Sequence, residues 1–374
     1  MLQQPTFIYD IKKPWEEVVK NPPIWKSNKF PALPRQKKYS FLGKKLFSPI
    51  IIAAGPSSGH FWSDFYFKMG YGAVIEKTRR STPRASNKAP NIALVKSKKT
   101  LSRANIKDGV HASIDEKDWD EYKSITNSFG NPSPAIEIWA KELQVQKKAV
   151  DDGQMLGCSV TATFPEDGPA CYKILGKKDP GAALVETALD LITAASAAVV
   201  NGAEFIEFNL ACPNVLENTA EGEMFQDEKL VAYTLGEFKK RFPNTPVGFK
   251  FGLYKSKEQM KKVFKAAGDN LDYVSGVNAI ATKVTDDKGK EILPGRMTSG
   301  VCGAVMKEIA LEEIKWADEI RKEEGLKYEI LGGGGIIEVK DVQEFLEAGA
   351  DAVQVATIPL VNPLFAHEYY LKNL

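Results

Sequence analysis

The chain has 374 residues, of which 43% are hydrophobic and 26% are charged. This is the composition of an ordinary globular protein, and it excludes a disordered chain, a collagen-like fibre and a small disulfide-stabilised fold. With 50 Lys and Arg against 48 Asp and Glu, the formal charge of +2 gives no indication of nucleic-acid or membrane binding. The length suits two average domains or one large α/β barrel.

Neither the first residues nor the apolar stretches resemble a targeting or membrane segment. Residues 1–6 lack the basic, apolar and small-residue order of a signal peptide. Stretches such as 48–55 and 194–200 are far shorter than the roughly 20 residues of a membrane helix. The four cysteines and three histidines lack the clustered spacing of metal ligands. We therefore predict a cytoplasmic protein without a metal site.

Residues 1–45 are rich in proline, lysine and aromatic residues, and their hydrophobic periodicity is poor. We interpret them as an N-terminal extension that packs on the main domain through its aromatic side chains. The remaining residues, 46–374, are predicted to form that domain.

Short apolar runs alternate with helical patterns from residue 48 onward. Eight runs are predicted to be buried strands, at 49–54, 73–77, 156–160, 205–209, 247–251, 273–278, 328–331 and 352–355. Between several of them, apolar residues recur every three or four positions, within 184–199, 260–267, 306–320 and 342–346. This alternation predicts an α/β fold, a closed (β/α)8 TIM barrel with helices outside, and an open doubly wound sheet is the alternative.

Two long segments interrupt the alternation, at 79–150 and 279–304. Both follow predicted strands, so both are expected to lie at the C-terminal rim of the barrel, where barrel enzymes build their sites. The polar run 285–289 within the second segment predicts a small hairpin.

Polar residues at the predicted strand ends are expected to converge on one pocket. Lys77, Asn209, Lys250 and Asn278 each lie at or just after the end of an apolar run. Lysines so placed suit an anionic or electron-accepting ligand, and asparagine offers the donor and acceptor that match an amide–imide edge. The glycines at 332–335, and residues 356–357 after the last strand, predict a phosphate site, which a mononucleotide cofactor would fit.

Cys212 is the most informative single residue. It follows a buried strand, in a loop stiffened by Pro213 and flanked by Asn209 and Asn214. The ordinary pKa of a thiol, about 8.5, allows it to act as a base without extreme tuning. A small buried side chain without a chemical role is the alternative interpretation.

These residues resemble the dihydroorotate dehydrogenase family of flavin barrels from about residue 48 to the C-terminus. The most specific match is Asn209-Leu210-Ala211-Cys212-Pro213-Asn214, which is similar to the family's Asn-Leu-Ser-Cys-Pro-Asn segment. Further matches follow in the family's order: Glu76-Lys77-Thr78, Asn127-Ser128-Phe129-Gly130, Phe249-Lys250-Phe251, Gly276-Val277-Asn278, Cys302-Gly303-Ala304, Gly333-Gly334-Gly335-Ile336 and Gln354-Val355-Ala356-Thr357.

The resemblance implies an FMN-dependent oxidoreductase that oxidises dihydroorotate or a related dihydropyrimidine. Cys212 would remove a proton beside the carbon that gives up hydride to the flavin, and Lys77 would be the second catalytic residue. The implied FMN-binding residues are Ala54, Gly55, Lys77, Thr78, Asn209, Lys250, Val277, Gly303, Gly334, Gly335, Ala356 and Thr357. The implied substrate-binding residues are Lys77, Asn127, Phe129, Gly130, Asn131, Asn209, Asn214, Asn278 and Ala279. A cysteine base resembles the soluble class of the family.

Four positions depart from the family pattern. Ala279 stands where a hydroxyl residue is frequent, and Asn131 stands where an apolar residue is common. Cys302 and Ala356 replace glycines near the predicted flavin. The first two bear on which dihydropyrimidine is oxidised.

Three alternative functions remain open on sequence grounds. They are a dihydropyrimidine dehydrogenase-like enzyme, a tRNA-dihydrouridine synthase-like enzyme and a non-catalytic flavin-binding subunit. The chain has no dinucleotide fingerprint and no clustered cysteines. A separate electron acceptor is therefore expected: fumarate, a quinone or a partner subunit. By resemblance the chain is also expected to form a homodimer.

Overall fold

The computed structural model describes residues 7–25, 27, 29–34, 36–163, 180–213 and 220–373. Its strands are β1 (Tyr39–Phe41), β2 (Lys44–Leu46), β3 (Ile50–Ile52), β4 (Ala73–Arg79), β5 (Ile92–Val95), β6 (Val110–Ser113), β7 (Ser124–Asn127), β8 (Met155–Val160), β9 (Phe205–Asn209), β10 (Val247–Lys250), β11 (Tyr273–Gly276), β12 (Ile280–Thr285), β13 (Thr298–Gly303), β14 (Glu329–Gly333) and β15 (Ala352–Val355). Its helices are α1 (Trp15–Val18), α2 (His60–Lys68), α3 (Asp118–Tyr122), α4 (Ile136–Lys147), α5 (Pro180–Val200), α6 (Glu228–Arg241), α7 (Lys257–Ala267), α8 (Lys307–Glu324), α9 (Val339–Glu347) and α10 (Phe365–Lys372).

Eight parallel strands close into a barrel in the order β3-β4-β8-β9-β10-β11-β14-β15. They coincide with the eight predicted runs. Apolar residues run continuously along them because one face packs inside the barrel and the other packs under the outer helices. The predicted closed (β/α)8 barrel is confirmed, and the open sheet is excluded.

The four predicted helical stripes correspond to α5, α7, α8 and α9, whereas sequence periodicity missed α2, α4, α6 and α10. Helix α4 shows why. Its buried stripe includes Trp139 and Leu143, but Ile138 and Val145 are exposed on the opposite face and blur the pattern. Helix α4 lies within the segment 79–150 and packs against α2 and α5 in the outer helical layer.

Strands from the two long rim segments form a second, smaller closed barrel in the order β12-β13-β7-β5-β6. The predicted hairpin is present, because β12 and β13 pair antiparallel. The segments meet where β13 pairs with β7, with Gly300 opposite Asn127 and Cys302 opposite Ile125. Arg103 fastens this small barrel to α8 through ion pairs with Glu312 and Glu313. The small barrel therefore forms a fixed wall at the rim.

The N-terminal residues contact both ends of the main barrel. At the N-terminal ends of the barrel strands, the β1–β2 hairpin inserts Phe41, whose ring lies 6.2 Å from Phe205 and 5.7 Å from Tyr273. At the rim, the backbone nitrogen of Ile8 donates to the Leu360 carbonyl at 2.8 Å. The extension thus plugs one end of the barrel and borders the other.

Helix α5 contains a stretch, Gly181–Val200, that is long and apolar enough to cross a membrane by length and composition. No stretch of this length was expected from the sequence. The helix packs on β8 and β9, and Ala188, Leu191 and Ala195 are fully buried. About 44% of the stretch is buried, so packing on the barrel accounts for part of its apolar character.

Candidate active site

A cleft of about 1140 Å3, measured with its open mouth, lies at the C-terminal ends of the barrel strands. It collects most of the residues that the sequence singled out: Ala54, Gly55, Lys77, Asn127, Phe129, Gly130, Asn131, Asn209, Cys212, Lys250, Val277, Asn278, Ala279, Gly334, Gly335, Ala356 and Thr357. Thr78 lies behind this lining, and Gly303 adjoins the lining residue Cys302. Asn214 lies outside the described residues.

Cys212 lies in the cleft wall, three residues after β9 ends, and is 6% exposed. The chain returns close behind it at Gly222, where an added Cβ would lie 2.6 Å from the Cys212 carbonyl oxygen. Only glycine allows so close an approach. The loop that carries the thiol is therefore supported from behind by backbone.

Lys250 is the paired lysine of the cleft. Its ammonium lies 2.9 Å from the Glu207 carboxylate, and both side chains are almost completely buried. The other Glu207 oxygen accepts from Ser275 at 2.7 Å, and Ser275 in turn accepts from the Gln354 amide at 2.8 Å. Burial makes this pairing important, because a buried charge without a partner is strongly destabilising.

Lys77 has a different environment. Within the described residues no carboxylate lies within salt-bridge distance of its ammonium, which instead lies 4.6 Å from the centre of the Phe129 ring. Burial lowers the pKa of Lys77 to about 8; the nearby Arg79 charge adds to this effect, and Cys212 and Glu76 partly offset it. The site thus holds a buried cation ready to be matched by a negatively charged group.

Asparagine amides from separate elements converge on the cleft. The Asn278 amide donates to the Asn209 side-chain oxygen at 3.2 Å, and Asn209 donates to the Thr78 hydroxyl at 2.9 Å. Thr78 therefore orients a lining residue from behind. The Asn127 amide lies 3.7 Å from the Cys302 sulfur, and burial raises the pKa of that thiol.

Some polar atoms of the lining are buried without a hydrogen-bond partner among the described residues. They include Asn131 Nδ2 and the side-chain oxygen of Gln354. Buried polar groups in native proteins are almost always satisfied, so these two atoms could be matched by a polar ligand or by ordered water.

The loops after β14 and β15 have the backbone expected of the predicted phosphate site. Gly334 and Gly335 have φ values of +111° and +97°, and both line the cleft together with Ala356 and Thr357. At Gly335, an added Cβ would lie 2.7 Å from the Lys307 backbone, so a side chain is excluded. Glycine loops of this kind let backbone amides approach an anion. Together with the unpartnered amide groups and the two lysines, they fit a phosphate-bearing, electron-accepting cofactor.

Several lining or supporting residues were missed by sequence reasoning. Glu207 had a visible signal, since it is an acidic residue inside an apolar strand. Gln354 and Ser275 had only weak signals. Tyr9 had none, because its contacts are all distant in sequence. In the described part of the chain, no cluster of His, Cys, Asp or Glu is arranged to hold a metal ion.

The closed parallel barrel and the position of the cleft define an enzyme of the (β/α)8 class with its site at the strand C-termini. The family model for dihydroorotate dehydrogenase matches residues 37–369. The chain therefore belongs to the dihydroorotate dehydrogenase family, as the Asn209–Asn214 motif predicted. It is an oxidoreductase that acts on a CH–CH bond of its donor.

Individual relatives agree with this assignment. The chain is 30% identical to a dihydroorotate dehydrogenase of Dictyostelium discoideum, over 98% of this chain and 97% of that protein. It is also 30% identical to a dihydroorotate dehydrogenase B (NAD+) catalytic subunit of Caldicellulosiruptor bescii, over 86% of this chain and 87% of that one. The structure of ligand-free DHODH from Eimeria tenella has the same fold, with a TM-score of 0.67 at 16% identity, covering 90% of this chain and 86% of that chain.

Proposed function

We propose that the protein oxidises dihydroorotate to orotate with bound FMN as the hydride acceptor. The observation that carries the proposal is that Cys212, Lys77 and Lys250 line one cleft, together with four asparagines and the phosphate-type loops. This arrangement supplies a base, positive charge and amide recognition within a single site. FMN is the flavin proposed because a single phosphate site is expected at Gly334, Gly335, Ala356 and Thr357.

Cys212 is the proposed base. It would take the proton from the carbon next to the one that loses hydride, which requires the sulfur to lie within hydrogen-bond reach of that proton. The backbone behind the thiol limits its movement. Bound FMN would supply the two-electron acceptor for the hydride.

The two lysines are proposed to have different electrostatic roles in the cleft. Lys250 is already balanced by Glu207, so its main contribution is a fixed donor at the cofactor. Lys77 has no such ion-pair partner in the described structure, and negative charge on Cys212 would raise its pKa. It would stabilise negative charge that develops in the cleft during proton and hydride transfer.

The asparagines are proposed to hold the pyrimidine. Asn127, Asn209 and Asn278 line the cleft from β7, from β9 and from the loop after β11. Their amides can match the alternating donors and acceptors of the amide–imide edge, which would fix the ring against the flavin. Asn214 is assigned to the same task by resemblance alone.

Ala279 and Asn131 both line the cleft, at the positions that depart from the family pattern. This observation favours testing dihydrouracil and dihydrothymine beside dihydroorotate as donors. Anaerobic addition of each compound to the purified holoenzyme, followed through the visible flavin band, tests the proposal. Bleaching by dihydroorotate is expected. Bleaching by another donor alone would change the substrate, and no bleaching would favour a non-catalytic flavin-binding protein.

Electrons are proposed to leave through a separate acceptor, because the sequence has no dinucleotide motif of its own. Steady-state assays with fumarate, a quinone and candidate partner subunits would identify it. We also propose a cytoplasmic, soluble enzyme, since the apolar helix α5 packs on the barrel. A homodimer stays a prediction, to be measured by light scattering during size-exclusion chromatography.

A further inference from the structure

The N-terminal extension contributes Tyr9 to the wall of the cleft. The ring of Tyr9 packs against Trp62 at 5.8 Å and edge-on against Phe129 at 6.0 Å. Phe129 itself covers the ammonium of Lys77. Tyr9 therefore contacts the aromatic ring that covers a predicted catalytic residue.

The segment around Tyr9 is held firmly against the rim. Ile8 is hydrogen bonded to the carbonyl of Leu360, which also lines the cleft. The Trp15 indole donates to the Ser58 hydroxyl at 3.3 Å, and the Glu16 carboxylate accepts from both the backbone and the hydroxyl of Ser86 at 2.7 Å. With anchors on both sides, the position of the ring is set by the fold.

The hydroxyl of Tyr9 is buried and has no hydrogen-bond partner among the described residues, and the side chain is 6% exposed. Tyr66 also has an unpartnered hydroxyl, but it does not line the cleft. A buried phenol normally finds a partner, because leaving it without one costs about 1–3 kcal/mol. At Tyr9, unlike at Tyr66, a bound molecule in the cleft can supply that partner.

We propose that Tyr9 is a further substrate-positioning residue, whose hydroxyl donates a hydrogen bond to a carbonyl or carboxylate oxygen of the bound pyrimidine. The contact with Phe129, in the predicted substrate loop, favours the pyrimidine over the flavin as the partner. Burial, together with the charges of Glu16 and Asp10, raises the pKa of Tyr9 well above its ordinary value. The hydroxyl thus keeps its proton and acts as a donor. This inference rests on the proposed function.

The test compares Tyr9→Phe with Tyr66→Phe in the FMN-loaded enzyme. Each substitution removes only one unpartnered buried hydroxyl, so neither is expected to lower the melting temperature. Titration with orotate, followed by the flavin spectrum, gives the dissociation constant. Rapid mixing with dihydroorotate gives the donor dissociation constant and the limiting rate of flavin reduction.

Tyr9→Phe is expected to weaken orotate and dihydroorotate binding about 3- to 20-fold, the effect of one lost hydrogen bond. FMN content should be unchanged, and Tyr66→Phe should bind as the wild type does. Wild-type affinity in Tyr9→Phe, or a loss confined to FMN retention, would overturn the inference. Wild-type enzyme that dihydroorotate fails to reduce would overturn the proposed function and this inference together. Wild-type reduction with an unaffected Tyr9→Phe would overturn the inference alone.

Discussion

Replacing Lys77 with methionine is expected to stabilise the FMN-free protein while impairing catalysis. In the folded chain, burial and the Arg79 charge lower the pKa of Lys77 from 10.5 to about 8. At about 1.4 kcal/mol for each pKa unit, the charged side chain costs the folded state about 3 kcal/mol. The substitution also removes the attraction between the ammonium and the Phe129 ring, which destabilises the folded state by about 1 kcal/mol. The net gain is therefore about 2 kcal/mol at pH 7.

The pH dependence has a definite sign. Below pH 8 the lysine is charged in both the folded and the unfolded chain, so its full cost lowers wild-type stability. Between pH 8 and 10.5 the folded chain loses the proton first, and the cost declines. The stability advantage of Lys77→Met should therefore be greatest below pH 8 and fade as the pH approaches 10.5.

Thermal unfolding of the FMN-free proteins at several pH values measures this difference. The unfolding entropy of a chain of this length is about 0.8 kcal/mol per kelvin, so 2 kcal/mol corresponds to roughly 3 °C. Lys250→Met is the matched control. It removes an equally buried lysine but leaves Glu207 without its partner, so it should lower the melting temperature. A Lys77→Met protein that is less stable than the wild type at pH 7, or a difference that persists at pH 10.5, would refute the argument.

Three further substitutions probe the base, the buried pair and the barrel plug. Cys212→Ala should slow flavin reduction by dihydroorotate by on the order of 100-fold or more with FMN still bound, and unchanged stopped-flow rates would remove Cys212 from the mechanism. Glu207→Gln should lower the free energy of unfolding by about 3–5 kcal/mol, because the buried Lys250 charge loses its partner. This loss corresponds to a melting temperature about 4–6 °C lower. The double variant Glu207→Gln with Lys250→Met should recover part of the lost stability. Phe41→Ala should lower the free energy of unfolding, measured by urea titration, by about 3–5 kcal/mol. FMN affinity should be unchanged, because Phe41 lies at the opposite end of the barrel from the cleft. A decrease of less than about 1 kcal/mol would show that the hairpin is dispensable for stability.

Local patterns in the sequence were sufficient for the barrel and for much of the cleft. Buried parallel strands leave a continuous apolar run, so all eight could be located, and a polar residue at such a run's end is expected at the rim. Lys250 and Asn209 were located in this way, and Cys212 was singled out in the loop that follows β9. Lys77 differs in detail, because β4 continues two residues beyond it to Arg79.

Contacts between distant segments are absent from any local pattern, and only the tertiary structure decided them. The two rim segments are far apart in the sequence, but their strands share one small barrel because β7 and β13, about 170 residues apart, pair edge to edge. Glu207 could be noticed as an anomaly, yet its partner Lys250 is set by the pairing of β9 with β10. Tyr9 enters the cleft because aromatic packing and backbone hydrogen bonds fold the N-terminal segment back over the rim. Periodicity reports which face of an element is buried, whereas the identity of the residues across that face is determined only when the chain closes.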